Sequence, residues 1–168
     1  MTSVFVYHGS DEIFMRRKDR EINDISELES IISRADVCRV AFAVDNIPYI
    51  VTMNFGYSGG SRQKLFFHCA NEGRKLDMMR INNHVCFEFD TDHRVYNGKR
   101  ACDWGMKYSS VVGYGEIFIV TDETERKLGL DSIMEHYGGA GEYTYDEKEL
   151  PRTTILRLEI SEMTCKRK

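Results

Sequence analysis

Proline is scarce, with only Pro48 and Pro151 in 168 residues. No low-complexity stretch or internal repeat interrupts the chain, so it reads as one domain with room for a full-sized core. An excess of positive charge is also missing. The formal net charge is −4, which gives no electrostatic footprint for nucleic acid or an anionic membrane as partner. No apolar run approaches the roughly 20 residues that span a bilayer. The N-terminus lacks the charged and long apolar regions of a signal peptide. The five cysteines, Cys38, Cys69, Cys86, Cys102 and Cys165, are odd in number, spread out, and without a Cys-x-x-Cys pair. A disulfide framework and a structural zinc site are both disfavoured, and a reducing cytoplasmic setting is expected. Phosphate-loop, Gly-x-Ser-x-Gly and His-Glu-x-x-His signatures are absent. Gly113-Tyr-Gly115 is no dinucleotide fingerprint, because neither a third glycine nor a helix follows.

What is present is a strand-rich pattern. Residues 1–14 have no clear period and form an extension ahead of a single domain over 15–168, which opens on the charge run from Met15 to Arg20. Asp24 caps a helix over 25–35, with Glu27 positioned for a capping box and Ile25, Leu28, Ile31 and Ile32 on one face. Strands are predicted at 37–44, 48–55, 64–68, 84–90, 108–120 and 153–163. Asp122 caps a helix over 123–137 that a glycine cluster ends, and Lys166-Arg167-Lys168 is a tail. Gly113 and Gly115 mark a bulge, a bend or a close backbone approach. Six strands, the early ones joined as hairpins, predict a mainly β fold: a six-stranded antiparallel barrel with flanking helices.

The stretch with most chemical content is Lys64 to Ile81. A strand ending at His68 leads through a turn at Asn71–Gly73 into a helix that opens on Arg74 and Lys75. A helix N-terminus has unpaired backbone N–H groups and a positive dipole end, so it suits an anion. Cations in that turn oppose the dipole. Either a bound phosphate or a solvated basic turn accounts for them, and spacing alone favours the second. Elsewhere no residues form a self-sufficient catalytic group. His68 and Cys69 are strand neighbours that point to opposite faces, a poor arrangement for a nucleophile–base pair. A metal site from His68, His84, Cys86 and His93 has no supporting spacing, and no metal is expected. Chemistry here would fall to a bound cofactor.

One set of segments is more specific. Met15–Ile22, Ala35–Arg39, Pro48–Val51 with Asn54–Tyr57, Phe67-His68 with Ala70 and Glu72–Lys75, Asn83 with Val85–Phe87, and Ala101-Cys102 with Met106, Tyr108, Ser110-Val111 and Gly113 together resemble the nitroimidazole-resistance family. That family belongs to the pyridoxamine 5′-phosphate oxidase-like flavin-binding split barrels. The resemblance runs in order from Met15 to the C-terminus. It implies a six-stranded split β-barrel, a homodimer with FMN at its interface, and a flavin-dependent oxidoreductase acting on a small molecule such as a nitroaromatic. Two alternatives are a non-catalytic protein holding flavin or haem, and a pyridoxamine-phosphate oxidase, which would need a second phosphate site. The resemblance puts Arg74 and Lys75, after Gly73, at the flavin phosphate. Backbone around Thr52, Met53 and Asn54 would edge the isoalloxazine ring, and His68, Cys69 and Ala70 would line the ribityl and phosphate path. His68 is also the one candidate for contact with ring or substrate. Tyr108, Ser109, Ser110 and Val111 would come from the partner subunit. Two departures stand out: Cys69, where a small hydroxyl residue is expected, and Trp104-Gly105 ahead of Met106, whose bulk would narrow the substrate side.

Overall fold

A computed structural model describes residues 17–168. The expected extension over 1–14, with Met15 and Arg16, lies outside the described residues. Strands β1 (Glu21–Ile22), β2 (Cys38–Val44), β3 (Ile47–Met53), β4 (Phe55–Ser58), β5 (Lys64–Ala70), β6 (His84–Tyr96), β7 (Gly105–Ile119) and β8 (Thr153–Arg167) alternate with helices α1 (Ile25–Arg34), α2 (Arg74–Ile81) and α3 (Glu123–Gly138). All eight strands belong to one antiparallel sheet in the order β3-β2-β6-β7-β8-β5-β4, with β1 paired to β8.

The two ends of that path, β3 and β4, are consecutive in the chain on either side of Asn54. The sheet must therefore curl until its edges meet, which makes a barrel closed covalently at Asn54. The mainly β split barrel expected from the sequence is the fold observed, with its strands counted differently. The predicted strand over 48–55 keeps its in–out alternation, but its ladder partner changes from β2 to β5 at Asn54. Alternation reports which face a side chain takes, not which strand it pairs with. The short β1 and this switch turn six predicted strands into eight. The predicted tail is also strand: Lys166 and Arg167 pair with Ser110 and Ser109, and Lys168 exchanges backbone hydrogen bonds with Tyr108.

Phe42, Phe55, Phe67, Phe87 and Phe89 fill the barrel with no exposed surface. Phe66, on the opposite face of β5, joins Val120, Ile133 and Ile155 in a smaller cluster beneath α3. At Gly115 the β7–β8 register slips. A β-carbon there would lie 2.1 Å from the Glu159 carbonyl oxygen, so the bulge requires glycine. Asp24 caps α1 by accepting from the Ser26 N–H at 2.8 Å. The expected box with Glu27 does not form, because the Glu27 carboxylate pairs with Arg167.

Candidate functional site

The barrel's closure point builds the site. β4 pairs with β5 so that Phe55 faces Phe67, and the next step along that register sets Asn54 beside His68. β5 pairs with β8 so that Ala70 faces Thr153. The ends of β3, β5 and β8 therefore converge around a cavity of about 450 Å³. Its walls are Val51, Thr52, Met53 and Asn54 from β3 and the closure, and His68, Cys69 and Ala70 from β5. Lys75 of α2 adds an ammonium, and Glu149, Arg152 and Thr153 complete the wall from the segment entering β8.

Turn chemistry holds the charged end in place. Gly73 has φ +134°, a conformation that favours glycine, and ends the turn from β5 into α2 without a side-chain cap. The Asn71 amide donates to the Pro151 carbonyl at 2.7 Å, and the Thr154 hydroxyl donates to the Asn71 side-chain oxygen at 2.8 Å. Asn71 thus clips the turn before α2 to the turn before β8, and Lys75 and Arg152 sit on the clipped segments. Burial pushes the Cys69 thiol up while the Lys75 ammonium draws it down, and burial wins. A thiol held above its ordinary pKa is a weak nucleophile, so Cys69 reads as cavity wall.

Of the residues singled out by sequence, Thr52, Met53, Asn54, His68, Cys69, Ala70 and Lys75 come together here. Arg74 does not line the cavity: its guanidinium stacks on the Tyr49 ring, 4.6 Å from the centroid. Gly73 contributes backbone shape at the helix start rather than wall. Tyr108, Ser109, Ser110 and Val111 lie at the other end of β8, where Ser109 pairs with Arg167. From Thr153 to Arg167 is roughly 45 Å of extended strand at about 3.3 Å per residue. The Ser109 and Val111 side chains are fully buried in their own barrel, so their reach to another subunit is limited to backbone. Trp104 is exposed on the β6–β7 connection, its indole N–H donating to the Gly98 carbonyl at 3.2 Å. Glu149, Arg152 and Thr153 were not anticipated from the sequence.

Among the described residues no group of three or more His, Cys, Asp or Glu side chains is arranged to hold a metal ion. No helix among them is long and apolar enough to cross a membrane.

The family model for pyridoxamine 5′-phosphate oxidase matches residues 24–167. The chain is similar to the solved structure of a candidate 5-nitroimidazole antibiotic resistance protein from Bacteroides thetaiotaomicron, at 31% identity over 87% of this chain and 85% of that one, with TM-score 0.75. It shares the fold of the flavocytochrome Anf3 from Azotobacter vinelandii, at 16% identity, TM-score 0.76, and 92% and 72% coverage. The FAD binding protein from Mycobacterium smegmatis has the same fold at 20% identity and TM-score 0.60, with 88% and 96% coverage. No curated protein matches the chain.

Proposed function

The chain belongs to the pyridoxamine 5′-phosphate oxidase family, and from that premise we propose that it is an FMN-binding oxidoreductase that reduces a small molecule, nitroaromatic compounds being the favoured class. The observation that carries this reading is the cavity at the barrel closure. One strand edge and one basic helix start meet there around about 450 Å³, inside the range of small-molecule and cofactor sites.

The donor set fits a flavin phosphate ester. Extended backbone at Thr52–Asn54 offers amide and carbonyl groups along one edge, suited to the hydrogen-bonding rim of a flat heterocycle. His68, Cys69 and Ala70 form the floor beside it. Lys75 and the start of α2 after Gly73 supply the positive end that a phosphate needs. Arg74 adds charge at this end although its guanidinium rests on Tyr49. When bound, the flavin supplies the electron transfer. The chain's residues bind it, orient it and limit its access to water. His68 is exposed at the cavity wall and is placed to donate a hydrogen bond to ring, phosphate or substrate.

The reading includes a homodimer. Tyr108 and Ser110 share a face of β7, Tyr108 half-buried and Ser110 buried, far along β8 from their own cavity, and this reading assigns them to a site on a second subunit. The test is turnover. FMN-loaded protein should oxidise a reduced nicotinamide when a nitroaromatic acceptor is added. Tight flavin binding with no turnover across nitroaromatic, quinone and pyridine acceptors would make the protein a flavin carrier instead.

A further inference from the structure

We infer that Tyr137 is a positioning residue for the cavity, its hydroxyl fastening together the two chain segments that flank Asn54. This deepens the flavin reading above and rests on it. Asn54 lines the cavity, belongs to neither β3 nor β4, and is the covalent closure of the barrel. On one side of it Met53 pairs with Cys38 of β2, and on the other Phe55 pairs with Phe67 of β5. Each ladder fixes one flank, and Asn54 itself has a partner in neither.

The C-terminal end of α3 meets this bend. Gly56 lets the helix come close: a β-carbon there would lie 2.5 Å from the Ile133 backbone nitrogen, so any side chain would push helix and strand apart. About one turn further along α3, the Tyr137 hydroxyl accepts from the Phe55 N–H at 3.3 Å and donates to the Asp36 carbonyl at 2.8 Å. A phenol hydroxyl can do both at once. Asp36 precedes Cys38 by two residues, and Cys38 is the ladder partner of Met53. One hydroxyl thus links the start of β4 to the entry of β2, and the chain through Met53, Asn54 and Phe55 becomes part of a closed loop. His136 steadies the link, with Nε2 2.8 Å from the Ala35 carbonyl oxygen and its ring centroid 4.1 Å from that of Phe55. The Tyr137 side chain is 45% exposed, so what it holds is set more by its hydroxyl than by buried area.

The experiment compares wild type with Tyr137→Phe, which keeps the ring and removes the hydroxyl, and with Asp122→Ala, which uncaps the other end of α3. Backbone amide exchange is followed by NMR on the flavin-free chain, and FMN affinity and the visible spectrum of the bound flavin are measured beside it. In Tyr137→Phe the Phe55 amide should exchange about fivefold faster or more, while the amides of β6 and β7 stay within about twofold of wild type, which also shows that the variant is folded. FMN should bind about threefold to tenfold more weakly, with a shifted visible band, because the backbone along the ring edge is no longer held. Asp122→Ala should lower the melting temperature and leave FMN affinity and spectrum at their wild-type values, which separates positioning from loss of stability. The inference is overturned if Phe55 exchange is unchanged in Tyr137→Phe, if it accelerates while FMN affinity and spectrum keep their wild-type values, or if Asp122→Ala reproduces the flavin changes. A wild-type protein that takes up no FMN defeats the flavin reading and the inference with it, a result told apart because it precedes any substitution.

Discussion

The long strand β8 ends in two kinds of surroundings. At its C-terminal end the cations are matched: Lys166 and Lys168 lie over the rings of Tyr108 and Tyr96, and two arginines pair with acids. Arg167 pairs with Glu27 and donates to the Ser109 hydroxyl at 3.1 Å, and nearby Arg34 pairs with Asp92 at 3.0 Å. At its N-terminal end Arg152 has only the long contact with Glu149, and among the described residues Lys75 has no ion-pair partner. The first end also carries the capped helix α1, and the second opens into the cavity. Charge that is spent on internal pairs fixes the fold, and charge left adjustable at a cavity wall is available to a ligand. The middle of β8 separates the two regimes, because the bulge at Gly115 shifts the register between them.

The most forceful way to break this division is at that bulge. Gly115→Val should destabilise the whole barrel by about 3 kcal/mol or more, since backbone must move to admit the side chain. A chemical denaturation curve checks this, and both ends should suffer together. Lys75→Ala should act on one end only. FMN retention should fall sharply, by about 1.5–3 kcal/mol for the charge-assisted bond lost. The melting temperature of the flavin-free protein should stay within about 1–2 °C of wild type. Retention of a full flavin complement through purification would count against the phosphate assignment.

At the C-terminal end of β8 Arg34→Ala should do the reverse, lowering the melting temperature by about 1–2 °C through loss of a half-exposed pair while leaving flavin affinity alone. The smallest effect expected is one of pH. Hydrogen bonds from Ser26 hold the Asp24 carboxyl below its ordinary pKa, and the Arg34 guanidinium does the same for Asp92. The folded chain therefore binds these protons less tightly than the unfolded chain. The stabilisation is complete above the ordinary aspartate pKa of about 3.9, and is lost as pH falls from there through the lower folded values. Thermal scans below about pH 4 should show Arg34→Ala converging on wild type; a gap that stays constant would mean that the pair contributes nothing through Asp92.

Most of the fold was legible because strands, caps and glycines are local signals. Asp24 and Asp122 cap their helices as their positions suggest, Asp122 accepting from the Glu125 N–H at 2.8 Å. The cavity wall was legible where it is made of contiguous runs, Thr52–Asn54 and His68–Ala70. It was not legible at Glu149, Arg152 and Thr153, which arrive only through the β5–β8 pairing, some 80 residues away in sequence from the strand they join. The direction taken by Arg74 was likewise hidden, because its stacking partner Tyr49 sits on β3 and not in the helix. The partner change at Asn54 left no trace in the alternation, yet it closes the barrel and creates the site.

The most direct test of the central claim, a flavin held by its phosphate in the cavity at Asn54, is an absorbance spectrum of freshly purified protein with the mass of whatever it releases on denaturation. The account predicts the paired near-ultraviolet and blue bands of oxidised flavin and release of FMN. A Soret-type band, or a colourless protein that takes up no added FMN, would contradict it.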